Sequence, residues 1–217
     1  MYRMRLRFSK GGALRFIGHL DFLRVFQQTI RRAGLPAAYS QGFHPHLLLS
    51  FALPLPLGME SVNDYADLIL EEELPGEEIA DRLTAHAPEG LVIKAAYPAE
   101  NKAASVVTLA EYEIDIRPYT SPDEFGGYSY LAPPEIEQAV DKIKKSESII
   151  ISKKTKSGIR ETDIKPDIAH IEASSRRIYT RLAAGSSRFL HPMIVAELVL
   201  GEKPNPALLC RTDLFNL

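Results

Sequence analysis

The chain has 217 residues, 45% hydrophobic and 25% charged, values that exclude disordered, collagen-like and disulfide-scaffold classes and leave room for one large or two small domains. No apolar run nears the ~18–20 residues of a membrane span, since the longest, 47–57, is cut by Pro54 and Pro56. The single cysteine, Cys210, excludes an internal disulfide, a cysteine zinc knuckle and a self-contained iron–sulfur cluster.

The net charge of −2 conceals blocks of opposite sign. Residues 1–58 carry eight Lys or Arg against Asp21 alone, a balance of +7. Residues 59–141 stand at −15, residues 142–188 at +7 and the last 29 at −1. Two basic blocks around an acidic one predict a bipolar surface whose basic side suits a polyanion such as RNA. The opening Tyr2-Arg3-Met4-Arg5-Leu6-Arg7 alternates and lacks the continuous apolar stretch of a signal peptide, so a cytoplasmic, non-membrane protein is expected.

Along the chain, Arg3 to Ser9 alternates basic with apolar residues, a strand with one buried and one basic face. Lys10-Gly11-Gly12 breaks it. Leu20 to Ala33 reads as a helix with Leu23, Phe26, Ile30 and Ala33 on one stripe, stopped by Gly34 and Pro36. A loop, Gln41 to His46, leads to a short strand at Leu48 to Leu53. Tyr65 to Leu70 is a strand, Glu77 to His86 a helix and Leu91 to Tyr97 a strand. Residues 98–110 form a linker. A strand at Tyr112 to Ile116 follows, then a loop over 118–133, a helix marked by Ile136, Val140 and Ile143, and a strand from Ile149 to Lys153 that turns at Lys156-Ser157-Gly158. Strands over 163–173 and 177–183, a helix from Pro192 to Gly201 and a strand from Leu208 to Thr212 complete the pattern. This order predicts an α+β protein of two tandem ferredoxin-like (βαββαβ) domains, residues 1–100 and 111–217, the second with extra strands.

The densest polar constellation lies in residues 15–46: Arg15, His19, Asp21, Arg24, Ser40, His44 and His46. His19 opens a helix, where free N–H groups favour anions. It fixes the turn through a backbone hydrogen bond, binds a phosphate or acts as a general base; the sequence leaves all three open. His44 and His46 share a face in extended chain, but a three-nitrogen metal site with His19 lacks a fourth ligand, so neither metal nor cofactor is expected. Phe43 is available to stack on a base. Arg5 and Arg7 on the first strand and Lys153, Lys154, Lys156 and Arg160 around the second-half hairpin supply further phosphate contacts. Neither a P-loop, a dinucleotide fingerprint nor a nucleophile elbow is present.

The stretches Leu14-Arg15-Phe16-Ile17-Gly18-His19-Leu20-Asp21, Arg31-Arg32-Ala33-Gly34-Leu35-Pro36, Tyr39-Ser40-Gln41-Gly42-Phe43-His44-Pro45-His46 and Ser50-Phe51-Ala52-Leu53-Pro54-Leu55-Pro56-Leu57-Gly58 resemble the radical-SAM-linked family of uncharacterised bacterial proteins. Arg211-Thr212-Asp213-Leu214-Phe215 resembles that family's ending. His44 stands where the family pattern has Asn, and Leu47 and Leu48 where it has Pro and a basic residue. The resemblance implies a radical SAM enzyme as partner and a ribosome-related or RNA substrate, this chain being non-catalytic because one cysteine cannot hold the partner's cluster. The expected function is thus an accessory protein that binds RNA through Arg5, Arg7, Arg15, His19, Arg24, Ser40, Phe43, His46 and the basic hairpin. Two alternatives stand beside it. One is a metal-independent RNA endonuclease, similar to the CRISPR repeat-processing nucleases, with His19 as base and Arg15 or Arg24 on the phosphate. The other is a protein–protein scaffold docking through the acidic segment.

Overall fold

The computed structural model describes residues 1–99, 103–121, 130–155, 158–174 and 176–216, with Lys153, Lys154 and Thr155 described by backbone alone. In chain order the strands are β1 (Tyr2–Lys10), β2 (Leu49–Phe51), β3 (Glu60–Leu70), β4 (Leu91–Pro98), β5 (Leu109–Asp115), β6 (Ile150–Thr155), β7 (Gly158–Asp163), β8 (Ile168–Ala173), β9 (Arg177–Ala183) and β10 (Leu209–Phe215). The helices are α1 (His19–Arg32), α2 (Gly76–His86), α3 (Arg117–Thr120), α4 (Pro133–Lys145) and α5 (Pro192–Leu200). The protein is thus mixed α+β. It divides into two compact units, Met1–Thr108 with Cys210–Leu217, and Leu109–Leu209. Among the described residues no helix is long and apolar enough to cross a membrane.

In the first unit β4, β1 and β3 lie side by side and antiparallel, with β2 antiparallel on the free edge of β3. Along β1 the apolar Met4, Leu6 and Phe8 are buried beneath α1 and α2 together with Phe22, Phe26, Ile30, Ile79 and Leu83. Aromatic edges set this packing: Phe8 and Phe26 are T-shaped at 5.1 Å between ring centroids, and Phe51 meets Phe26 at 5.4 Å. Phe22, not Leu23, joins Phe26 and Ile30 in the buried stripe of α1. Gly34, at φ +60, ends the helix where the sequence predicts. β10 returns to this unit, parallel to β3 through Cys210↔Glu60 and Arg211↔Ser61. β3 begins at Glu60, five residues before the predicted Tyr65, because its polar first half is paired in the sheet.

The second unit places β5, β9 and β8 in that order, all antiparallel. Ile136, Val140 and Ile143 of α4 are buried, and so is most of α5, which Gly201 ends at φ +75. A short helix, α3, occupies part of the predicted 118–133 loop, and a single turn of 3-10 helix, Lys165–Asp167, interrupts the predicted 163–173 strand. β6 and β7 form a separate two-stranded hairpin with Lys153 opposite Arg160. Asp163 ties its base by accepting from the Ile149 and Lys165 N–H groups at 2.8 and 3.0 Å.

Charge blocks that stand apart in sequence meet across strands here. Arg177 pairs with Glu113 at 2.9 Å and Arg181 with Glu111 at 2.8 Å, β9 against β5. Arg188 pairs with Asp167 at 2.5 Å. Much of the expected bipolar contrast is therefore cancelled within this unit, because the antiparallel register sets acidic β5 beside basic β9.

Candidate functional site

Both candidate regions lie in the first unit. On the helix-free face of its sheet, the register aligns Tyr97, Arg5, Asp67 and Ser50 in one row and Ala95, Arg7 and Tyr65 in the next. Directly opposed residues share a face, so the odd positions of β1 point here and the apolar even positions point to the core. Arg5 is an exception to the expected solvent-facing basic row. It is buried, and its guanidinium donates to both Asp67 oxygens at 2.9 and 3.3 Å. The Ala104 N–H also donates to Asp67, at 2.7 Å. A basic residue in mid-strand, with a carboxylate opposite, is drawn into an ion pair rather than presented to solvent.

Around that pair the face is open and basic. Arg3 and Arg7 are exposed, Tyr97 is 39% exposed, and Lys94 reaches Asn63 Oδ1 at 3.4 Å. Burial raises the Tyr97 pKa, with the Arg5 and Arg7 charges opposing, which places both guanidinium groups near the ring. Beside Arg3 a cleft of about 230 Å³ is lined by His46, Ser50, Asp67, Ile69 and Ala103.

The second region is buried at the other side of the sheet. Lys10 and Asp64, at the end of β1 and in β3, face the core side with His19 at the start of α1. They line a cavity whose remaining walls are Phe8, Phe22, Phe51, Leu53 and Leu55. It has room for about one water molecule. Arg211 of β10, 0% exposed, pairs with Asp64 at 2.7 Å and donates to the Leu53 and Pro54 carbonyls at 2.8 and 3.3 Å. Lys10, 2% exposed, donates to the Ile17 carbonyl at 3.2 Å, and its nitrogen sits 4.6 Å from the centre of the Phe22 ring. Burial pulls the Lys10 pKa below its ordinary value; Asp64 opposes that shift and Arg211 adds to it. Burial, then the Lys10 charge, lowers that of His19, whose ring meets Phe51 edge-on at 5.5 Å.

The predicted residues separate accordingly. Arg7, and His46 in the cleft beside Arg3, lie on the open face. Arg15 is held by Glu60 at 3.1 Å and Arg24 by Asp21 at 2.7 Å, so the two arginines of the nuclease alternative are both committed to carboxylates. The His19 ring makes no hydrogen bond among the described residues and rests edge-on against Phe51. Ser40 and His46 clasp the loop between them: Ser40 Oγ lies 2.7 Å from His46 Nδ1 and accepts from the His46 N–H at 3.0 Å, while the Ser40 N–H donates to the His46 carbonyl at 2.8 Å. Phe43 stands at the loop tip, 102% exposed. Among the described residues no three His, Cys, Asp or Glu side chains gather as a metal site. In the hairpin Arg160 is exposed; the Lys153 and Lys154 side chains and all of Lys156 lie outside the described residues.

Lys10, Asp64 and Arg211 escape sequence reasoning. Lys10 reads as part of a turn, and the others find each other only through the fold. Yet Arg15 to Asp21, Phe51 to Gly58 and Arg211 to Asp213, three of the stretches singled out in the sequence, converge around this cavity: the Gly58 N–H donates to the Arg15 carbonyl at 2.8 Å, and Arg211 holds the 53–54 backbone.

Residues 3–192 match the model of a family described as uncharacterized protein conserved in bacteria (DUF2344). The chain belongs to this family. The match ends at the first residue of α5, so the rest of that helix and β10, with Arg211, lie beyond it in this DUF2344 chain. No curated protein matches this DUF2344 chain.

Proposed function

We propose that this DUF2344 protein is a non-catalytic accessory protein that binds single-stranded RNA on the helix-free face of its first unit and works with a radical SAM enzyme. One observation carries the RNA reading: half-exposed Tyr97 with exposed Arg3 and Arg7 and with Lys94 on one open sheet surface. Bases stack on such aromatic rings while neighbouring cations neutralise phosphates. Exposed Arg160 of the hairpin is the second contact in this reading. The radical SAM partner and the ribosome-related substrate rest on the family resemblance of the sequence. The antiparallel order β4-β1-β3-β2 supports a ferredoxin-like first unit, and β5-β9-β8 supplies three strands of a second.

The test is fluorescence anisotropy of a labelled single-stranded RNA across a salt series. Binding should weaken steeply with salt, and the R3A/R7A double variant should reduce the log–log slope by about 0.7 per cation removed. Tyr97→Ala should cost about 1–3 kcal/mol if one base stacks there. Arg24→Ala, which removes an exposed i,i+3 partner of Asp21, should leave binding unchanged. No binding at low salt, or an R3A/R7A slope equal to that of the unaltered protein, defeats the reading.

A further inference from the structure

The cleft beside Arg3, at about 230 Å³, has roughly seven times the ~30 Å³ that one water occupies in the liquid. Leu47 to Leu49 and Ile69 give it apolar walls, and its polar groups come from three other segments. Ser50 of β2 and Asp67 of β3 stand directly opposite one another. Residues so paired share a face, with Cβ atoms about 4.5–5.5 Å apart. The Ser50 side chain is exposed and makes no hydrogen bond among the described residues. Asp67 accepts from Arg5 Nε, Arg5 Nη2 and the Ala104 N–H, three of the roughly four positions that a carboxylate offers. His46 is held at Nδ1 by Ser40, so its ring stands as a fixed wall. The cleft thus sets an acceptor beside a hydroxyl donor, between apolar surfaces. A phosphate suits neither feature, because the carboxylate repels it and the leucines desolvate it. A flat, neutral ring with a donor next to an acceptor suits both.

Resting on the RNA reading, we propose that this cleft takes one unstacked base with an exocyclic amine beside a ring nitrogen, cytosine or adenine, and rejects uracil. The amine donates to the remaining acceptor position of Asp67, and the Ser50 hydroxyl donates to the ring nitrogen. Uracil carries a carbonyl where cytosine carries its amine, so an acceptor would meet the carboxylate. The buried Arg5 holds Asp67 in place and keeps it an acceptor. Arg3, at the side of the cleft, stays on the flanking phosphate. The row Tyr97, Arg5, Asp67, Ser50 spans three strand spacings of ~4.8 Å, roughly 14 Å in all. One strand of RNA can therefore stack a base on Tyr97 and lower another into the cleft.

The test compares labelled oligo(C) and oligo(U) of equal length by fluorescence anisotropy, near neutral pH and at low salt. Oligo(C) should bind about tenfold more tightly. Ser50→Ala, at an exposed position, should bring the two affinities together at an unchanged melting temperature. It should leave the salt slope of both oligomers as it was, because no cation is removed. Ser50→Thr, which keeps a hydroxyl, should restore the preference. Equal binding of the two oligomers by the unaltered protein, or a preference that survives Ser50→Ala, overturns the base assignment and leaves the RNA reading standing. Failure of both oligomers to bind at low salt defeats the two together.

Discussion

Asp64→Ala is expected to destabilise the protein by about 3–5 kcal/mol, the cost of removing one partner of a buried ion pair. The reason lies in what surrounds the carboxylate. Arg211 is wholly buried, and its partners include the Asp64 oxygen at 2.7 Å and the Leu53 and Pro54 carbonyls. Lys10 lines the same cavity as Asp64. Removal of Asp64 therefore leaves two buried cations facing one another, in an interior where charge interacts more strongly than in water. Against a typical total of about 5–15 kcal/mol, that loss is large enough to unfold a substantial fraction at physiological temperature. Urea unfolding followed by circular dichroism measures it. The double variant D64L/R211M should recover most of the loss, because apolar replacements of a buried pair are often close to neutral. A loss under 1 kcal/mol in the single variant would show that Arg211 finds water or another acceptor instead.

The second large effect is expected at Gly76, the first residue of α2. A Cβ built there would fall 1.9 Å from the Ala96 carbonyl oxygen and 2.9 Å from its carbon, both backbone atoms of β4. A flexible side chain can swing away; a strand paired to β1 along its length cannot. In Gly76→Ala the start of α2 must lift from the sheet and disturb the seating of Ile79 and Leu83, both fully buried. Overpacking of this kind typically costs about 1–3 kcal/mol, and backbone-against-backbone contact puts this position at or above the upper end. The midpoint of urea unfolding should fall with little change in slope. Elsewhere in a helix the same substitution would stabilise by roughly 0.5–1 kcal/mol, so even the sign discriminates.

Much of the first unit is legible in the sequence because its signals are local. The alternation of Arg3 to Ser9, the helical stripe containing Phe26 and Ile30, and the Gly34 stop each need only a few neighbouring residues. The charge partners are not legible in this way. Arg5 and Asp67 are 62 residues apart, and only the β1–β3 register makes them opposite. Ser61, Asn63 and Asp64 carry no local strand signal, yet they form half of a strand because β10 and β1 satisfy their backbone. The arginines counted as available cations are largely neutralised by carboxylates from other segments, as with Arg15 and Glu60 or Arg181 and Glu111. His19 was visible as a polar residue at a helix start; that it shares a cavity with Lys10 depends on how the end of β1 meets the start of α1.

The return of β10 to β3 governs the order in which the protein can be made. Asn63 donates to the Thr212 carbonyl and Tyr65 to Asp213, links that span 149 and 148 residues. As the chain emerges during synthesis, residues 1–108 are present long before Arg211, and all of 109–209 intervenes. Until then Glu60 and Ser61 stand as an unpaired strand edge, and Asp64 lacks its guanidinium. Closure over so long a separation is slow, so the nascent first unit spends that interval open at the one corner where its amine, imidazole and carboxylate will meet.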